Sequence, residues 1–115
     1  DLPTVLVDAK MIDHVFTNLI SNAVKWSRAG DTITVKGWID DGTVWFSVGD
    51  TGLGIEPEHL PHIFERFFKT DAGRSQPGTG LGLSIARHIV EAHGGVMSAT
   101  SSVGEGSEVA FTVPT

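Results

Sequence analysis

Residues 77–85, with the sequence PGTGLGLSI, form the stretch best suited to binding phosphate. Gly78, Gly80 and Gly82 leave backbone N–H groups without side chains in front of them, and a helical pattern begins at about Leu83. The first turn of a helix has unpaired N–H groups and the positive end of the helix dipole, which favour an anion. The pattern indicates a polyphosphate ligand, although alternating glycines are also typical of plain flexible turns.

Three polar residues share a stripe on the predicted first helix, which starts after an N-cap at Asp8 and runs to about Trp26. The apolar positions of this helix fall on one arc: Ile12, Val15, Phe16, Leu19, Ala23 and Trp26. Asn18, Asn22 and Lys25 lie at the border of that arc, within about 60° of one another. Two amides and an ammonium group there suit a site that binds a hydrated cation and reaches a phosphate, although Asn is also common at helix borders.

A hairpin is predicted between residues 32 and 50, where the apolar period changes to two and Asp41 and Gly42 form a two-residue turn. Pairing Asp40 with Thr43 fixes the register. One face, expected to be the core, then carries Val35, Gly37 and Ile39 beside Val48, Phe46 and Val44. The other face carries Trp38 and Trp45.

Asp50 continues the core face of the second strand although it is a carboxylate. A half-buried carboxylate needs a hydrogen-bond donor, so two interpretations are open. Asp50 either caps the turn that follows it or accepts from the amino group of a heterocycle in a pocket. Gly52 and Gly54 would let the backbone approach a flat ligand, and Ile55 would supply an apolar wall.

The segment before the glycine stretch is predicted to cover the site. Residues 56–64 predict a short helix, and Phe64, Phe67 and Phe68 either anchor a loop on the domain or are ordinary core aromatics. Residues 70–79 are rich in Gly, Ser, Pro and Gln without periodicity, which predicts a mobile lid. Five of the eight basic residues lie in two segments, the end of the first helix and the stretch before the glycines: Lys25, Arg28, Arg66, Lys69 and Arg74.

The last third of the chain predicts a helix and a second hairpin. The helix beyond Gly82 directs Ile85, Ala86, Ile89 and Ala92 inward and ends at a C-cap formed by residues 94–95. Strands follow at about residues 96–101 and 107–113. This element order predicts an α+β fold, a two-layer α/β sandwich with a mixed, mostly antiparallel sheet and helices on one face.

Composition restricts the function further. The 115 residues, of which 40% are hydrophobic, predict one domain with its own core. The net charge of −6 argues against a nucleic-acid partner, so any phosphate site must be local. The chain has no apolar run of about 18 residues and no leader pattern, which predicts a soluble segment, and its lack of cysteine agrees with a reducing compartment.

Four motifs in order resemble those of the catalytic and ATP-binding domain of bacterial-type sensor histidine kinases, the Bergerat or GHKL fold. NLISNAVKWS at 18–27 is similar to the family's N box, and DTGLGI at 50–55 is similar to its G1 box. FERFFK at 64–69 is similar to its F box, and GTGLGLSI at 78–85 is similar to its G2 box. Residues 93–114 also resemble the family's closing hairpin, so the resemblance covers nearly the whole chain.

The resemblance implies a domain, residues 1–115 with an ATP lid at about 55–79, that binds ATP and Mg²⁺. It implies that Asn22 holds the Mg²⁺ with support from Asn18, and that Asp50 accepts from the adenine amino group. The residues implied to act on the phosphates are Lys25, Lys69 and Arg66, with Arg74 as a possible assistant. The remaining implied nucleotide contacts are Gly52, Gly54, Ile55, Gly78, Thr79, Gly80, Leu81 and Gly82. Trp26 departs from the Tyr most often found at its position, which removes a phenol hydrogen bond.

The family's reaction implies partners outside this chain. ATP would donate its γ-phosphate to a histidine on a separate dimerisation domain, and a response regulator would act downstream. None of the five histidines lies in the family's phosphoacceptor context: His14, His59, His62, His88 and His93. The resemblance implies a cytoplasmic domain, monomeric by itself, whose parent protein is anchored in the inner or plasma membrane.

Three alternatives belong to other functional classes. An ATPase of the same fold carries a glutamate one helical turn before the metal-binding Asn, and here that position is Asn18, which cannot act as a base. A serine kinase of the anti-sigma type, or a pseudokinase that only binds nucleotide, fits the same motifs. A non-enzymatic interaction module would require all four motifs to be coincidental.

Overall fold

A computed structural model of the chain describes residues 9–27, 29–65 and 82–113. Their elements in chain order are α1 (Ala9–Trp26), β1 (Ile33–Asp40), β2 (Thr43–Asp50), a short 3₁₀ helix (Leu60–His62), α2 (Gly82–Ala92), β3 (Met97–Ser102) and β4 (Gly106–Val113). The four strands form one sheet in the order β1-β2-β4-β3, and every described pair is antiparallel. Both helices pack on one face of this sheet and against each other, which confirms the predicted α+β two-layer sandwich. The extended piece predicted around residues 5–7 and the cap at Asp8 lie outside the described residues.

The first helix follows its apolar arc. Val15, Leu19 and Ala23 are buried, while Ile12 and Phe16 are partly buried against the same core. The ring of Phe16 packs edge-on against two aromatic rings of the sheet, Phe46 at 5.5 Å and Phe111 at 5.3 Å between centroids. These contacts fix α1 over β2 and β4, and thereby fix the direction in which its polar border points.

The β1–β2 hairpin has the predicted register, from Asp40 opposite Thr43 to Ile33 opposite Asp50. Asp41 and Gly42 both have positive φ, at 50° and 78°, as a type I′ turn requires. Trp38 and Trp45 stack on the helix-free face, with centroids 6.1 Å apart and planes 5° apart.

The core prediction for this hairpin is right for β2 and wrong for β1. Val44 and Val48 are buried, whereas Val35 and Ile39 are 52% and 47% exposed. All four point to the helix-bearing face, but β1 lies at one edge of the four described strands, where α1 makes much less contact than it does with β2. Periodicity identifies the face of a side chain, and the position of the strand in the sheet decides its burial.

The helix predicted for residues 56–64 is a single 3₁₀ turn flanked by turns. Pro61 explains the difference, because it cannot donate to the carbonyl of residue 57 and its ring would collide with that carbonyl in an α-helix. One helical bond remains, from the N–H of Leu60 to the carbonyl of Glu56 at 3.2 Å, and bonds between residues i and i+3 follow it, including the N–H of His62 to the carbonyl of His59 at 2.9 Å.

The second helix covers Gly82–Ala92 of the described residues, where a helix from about Leu83 was predicted, but it buries a different stripe. Ala86, Ile89 and Val90 are buried with Leu83 packed beside them, while Ile85 is 38% exposed and Ala92 is exposed. At 100° per residue, Ile85 and Ala92 lie about 100° or more from the centre of the buried stripe, so they face away from the sheet. The prediction that these two residues point inward was wrong.

The end of α2 has the predicted glycine cap. Gly94 has φ of +85° and donates its N–H to the carbonyl of Glu91 at 3.0 Å, and the N–H of Gly95 donates to the carbonyl of Val90 at 2.9 Å. This pair of bonds forms a Schellman motif, which turns the chain directly into β3. The strand β4 beyond it completes the core with Val109, Phe111 and Val113, as predicted.

Among the described helices, none combines the length and the apolar character that a membrane span requires.

Candidate functional site

Asp50 lies half-buried at the end of β2, on the face of the sheet that carries the helices. Its Oδ1 accepts a hydrogen bond from the N–H of Gly52, and its Oδ2 accepts one from the hydroxyl group of Ser107, each at 2.9 Å. The bond to Gly52 confirms that Asp50 caps the following turn. A carboxylate has about four lone-pair sites, so both oxygens can still accept from a ligand.

Ser107 reaches Asp50 because the two residues face each other across β2 and β4. Sequence reasoning missed Ser107 as a site residue, although the signal was available. Extending the inward positions Val109 and Phe111 back by two residues places Ser107 on the core face, where its hydroxyl group can bond to a carboxylate.

The turn after β2, residues 51–55 and hereafter the β2 turn, is held against the turn between β3 and β4. The N–H of Gly104 donates to the carbonyl of Leu53 at 2.9 Å, and the N–H of Ile55 donates to the Oγ of Ser101 at 2.6 Å. The hydroxyl group of Ser101 in turn donates to the carbonyl of Gly106 at 3.0 Å. Ile55 is itself buried, so its amide depends on this serine for a partner.

Two glycines allow the two turns to approach each other. Gly54 has φ of +75°, and a Cβ added there would collide with the carbonyl of Ser102. Gly106 has φ of +123°, and a Cβ there would collide with the carbonyl of Asp50. Gly54 was expected to admit a flat ligand, whereas its bare side faces the β3–β4 turn.

Replacing Gly54 with Ala is expected to lower the free energy of unfolding by about 3 kcal/mol, because the methyl group meets backbone atoms and φ is positive. Gly42→Ala is the matched control, since Gly42 has φ of +78° with open space around it, and it should cost only about 1 kcal/mol. Chemical denaturation of both variants measures the difference. Equal losses would mean that the two turns separate without cost.

The polar stripe of α1 occupies the predicted border position. Asn18, Asn22 and Lys25 are all partly buried, between the buried arc and the exposed residues of the helix. The amide nitrogen Nδ2 of Asn18 is buried and has no hydrogen-bond acceptor among the described residues. A buried donor without a partner costs about 1–3 kcal/mol, which favours an acceptor supplied by a ligand or its water shell.

At the start of α2, a Cβ on Gly82 would meet nothing within 4 Å. The other residues predicted for the phosphate side lie outside the described residues: Arg66, Lys69, Arg74, Gly78, Thr79, Gly80 and Leu81. Within the part of the chain that is described, no group of three or more His, Cys, Asp or Glu side chains could hold a metal ion.

Of the three phenylalanines predicted either to anchor a loop or to be ordinary core aromatics, one is described. Phe64 packs against the core, and the guanidinium group of Arg87 lies 5.4 Å from the centre of its ring. Ile63 beside it is buried. Phe67 and Phe68 lie outside the described residues.

An open groove of about 460 Å³ lies mainly on the opposite face of the sheet, where its lining includes Thr34, Lys36, Thr100 and Glu108. Two charged groups of this groove pair with each other, with Lys36 Nζ 3.5 Å from Glu108 Oε2. The groove also reaches Asp50 at the end of β2, but the side chain of Asp50 belongs to the helix-bearing face. The unpartnered amide of Asn18 lies on that face too, which is therefore the better candidate site.

Comparisons with known proteins identify the family of this chain. A family model described as histidine kinase-, DNA gyrase B-, and HSP90-like ATPase matches residues 7–115. Sensor protein SrrB of Staphylococcus aureus is 40% identical over 109 residues, which cover 93% of this chain and 19% of SrrB. The chain therefore spans about a fifth of the length of the curated relatives that it matches.

Solved structures show the same fold. A mycobacterial sensor histidine kinase, MprB, superimposes with a TM-score of 0.87 at 33% identity, over 96% of this chain and 76% of that one. Full-length ShkA, solved in complex with AMPPNP, gives a TM-score of 0.86 at 38% identity, over 98% of this chain and 23% of ShkA. The catalytic domain of histidine kinase ThkA, in a nucleotide-free form, gives a TM-score of 0.81 at 33% identity, over 96% of this chain and 70% of that one. The chain belongs to the family of histidine kinase-, DNA gyrase B- and HSP90-like ATPases.

Proposed function

We propose that this domain binds Mg²⁺-ATP on the helix-bearing face of its sheet and donates the γ-phosphate to a histidine on a separate dimerisation domain. The observation that carries the proposal is the carboxylate of Asp50, which Gly52 and Ser107 orient at the end of a core strand while each oxygen keeps acceptor capacity. The amino group of adenine is a donor that fits such an acceptor. The buried side chain of Ile55 lies close in sequence and supplies apolar surface near the base.

The polar border of α1 is assigned to the phosphates and the metal. Asn22 offers an amide oxygen, a ligand type that suits Mg²⁺, and the unpartnered Nδ2 of Asn18 can donate to a phosphate oxygen or to water on the ion. Mg²⁺ commonly takes most of its ligands from water and substrate phosphates, so a single protein oxygen is sufficient. When bound, the ion would neutralise charge on the β- and γ-phosphates.

Charge balance supports a basic clamp beside the metal. ATP brings about four negative charges to a chain whose net charge is −6, so local cations must offset them. Lys25, in the last turn of α1, and the lid residues Lys69 and Arg66 are assigned this role, with Arg74 as an assistant. The backbone N–H groups of residues 78–82 are assigned to the phosphates at the start of α2. In this proposal residues 1–115 form one domain with its lid at 55–79.

Transfer to an external group is favoured over hydrolysis. Asn18 lies one helical turn before Asn22, where a water-activating base would be needed, and an amide cannot accept a proton there. Two of the chain's histidines already have hydrogen-bond partners, His62 with Glu65 at 2.7 Å and His93 with the carbonyl of Ile89 at 2.8 Å. None of the five histidines lies in the family's phosphoacceptor context, so the phosphoacceptor is assigned to another domain of a longer sensor protein. A response regulator would act next, and membrane anchoring of the parent would leave this domain in the cytoplasm.

Isothermal titration calorimetry tests the binding step directly. The isolated domain should bind ATP with Mg²⁺ weakly, because closing the predicted lid around the nucleotide opposes binding. If millimolar Mg²⁺-ATP produces no heat and no NMR chemical-shift change, the domain does not bind the nucleotide and the proposal is wrong. The transfer step is tested by adding γ-labelled ATP and the dimerisation domain of the parent protein, on which the label should appear in an acid-labile, alkali-stable form.

A further inference from the structure

We propose that Ser101 is a positioning residue for adenine recognition, because its hydroxyl group joins the two segments that orient Asp50. This inference rests on the function proposed above. One of these segments is the β2 turn, which contains Gly52 and Ile55, and the other is the start of β4, which contains Gly106 and Ser107. Ser101 touches neither Asp50 nor, in this proposal, the nucleotide.

The hydroxyl group of Ser101 makes one bond to each segment. Its oxygen accepts from the N–H of Ile55 at 2.6 Å, and its proton goes to the carbonyl of Gly106 at 3.0 Å. Both bonds have hydrogen-bonding distances and are partly buried, so replacing either with a bond to water has a cost. The second side chain that links the two segments is that of Asp50 itself.

The two donors that orient Asp50 come from different segments. Gly52 belongs to the β2 turn, whereas Ser107 follows directly after the glycine that Ser101 holds. If the β2 turn moves relative to β4, the carboxylate can keep one donor and lose the other. The bridge that Ser101 makes, together with the backbone bond from Gly104 to Leu53, therefore holds the geometry of Asp50 toward a ligand.

The position of Ser101 in β3 explains why it alone among the strand's serines does this. Successive side chains of a strand point to opposite faces, and Ser101 pairs with Ser107 on the helix-bearing face. Ser98 pairs with Ala110, faces the other side and is exposed. Ser98→Ala therefore provides a matched control that removes the same hydroxyl group from the same strand.

The test compares ATP with purine riboside triphosphate, which lacks the 6-amino group, by calorimetry on the same domain. In the unmodified domain ATP should bind more tightly than the analogue. Ser101→Ala should weaken the binding of ATP by about tenfold and the binding of the analogue by less than about twofold, because the substitution disturbs the acceptor for the 6-amino group, which only ATP has. Ser101→Thr, which keeps the hydroxyl group, should restore the preference, and Ser98→Ala should retain it. The amide of Ile55 should exchange its hydrogen faster in Ser101→Ala than in the unmodified domain.

The outcomes separate this inference from the proposed function. An unmodified domain that binds neither nucleotide overturns the proposed function, and this inference with it. Suppose instead that the unmodified domain prefers ATP. If Ser101→Ala then shows the same preference, or binds both nucleotides more weakly by the same factor, only the positioning role is overturned. If Ser101→Ala does not fold, Ser101→Cys replaces it, since the thiol keeps the volume but donates and accepts only weakly.

Discussion

Replacing Asp50 with Asn is expected to weaken the binding of ATP by about 10- to 100-fold, the loss typical of a hydrogen bond to a charged group. The affinity for GTP should change by less than about threefold. The oxygen of the new amide can still accept from the N–H of Gly52, and the hydroxyl group of Ser107 can rotate to accept from the new NH₂ group. The fold is thus preserved while the charged acceptor for the adenine amino group is lost. Guanine presents a carbonyl oxygen at the equivalent ring position, so it has no such bond to lose.

Calorimetric titration with both nucleotides measures the effect, and Asp40→Asn is the matched control. Asp40 is exposed at the β1–β2 turn, so its replacement changes the net charge equally without touching the site. That control should leave ATP binding unchanged or slightly stronger, because a negative charge is removed. Equal weakening of ATP and GTP by Asp50→Asn would make Asp50 a purely structural cap of the β2 turn.

The elements of this fold could be predicted from local patterns because each has a strong signal of its own. The turn at Asp41 and Gly42 fixed the register of β1 and β2 over all eight pairs, and the residues 94–95 fixed the end of α2. Burial was less predictable. Val35 and Ile39 follow the same alternation as Val44 and Val48, and only the order of strands in the sheet distinguishes them.

The face of α2 and the short segment before the lid show why amphipathic patterns can mislead. Ile85 and Val90 both belong to plausible apolar stripes, and contact with α1 and the sheet selects the stripe that contains Val90. In residues 56–64, Pro61 excludes an α-helix more strongly than the acidic start favours one. That signal was visible in the sequence.

Residues of the candidate site could be picked out from the sequence where a residue breaks its own pattern. Asp50 stood out as a carboxylate on an apolar face, and Asn18 and Asn22 as amides at a helix border. Ser101 and Ser107 did not stand out, because serine is ordinary in strands and their roles depend on pairing between segments far apart in sequence. The purpose of Gly54 also depends on such a contact, since the β3–β4 turn that it faces is nearly 50 residues away.

Replacing Asn22 with Ala is expected to abolish the dependence of ATP binding on Mg²⁺ and to reduce phosphotransfer by about 100-fold or more. In the unmodified domain, chelating Mg²⁺ should weaken ATP binding by about tenfold, because in the proposed site the ion would link the phosphates to the protein. In Asn22→Ala the same chelation should change the affinity by less than about twofold, since the protein ligand is already gone. Titrations of both proteins with ATP, in Mg²⁺ and in EDTA, give the four affinities of this cycle.

Stability separates the metal role from a packing role. Asn22 lies at the border of the buried arc of α1, and Ala is favoured over Asn inside a helix by about 0.7 kcal/mol. The free energy of unfolding of the variant should therefore equal that of the unmodified domain or be slightly higher. Ser21→Ala, at the exposed neighbouring position, is the control for the change in helix propensity. A loss of about 2–5 kcal/mol in Asn22→Ala would instead match a core cavity, and the metal role would lapse. Preserved stability together with an undiminished effect of Mg²⁺ would also contradict it, because the ion would then be held without the side-chain oxygen of Asn22.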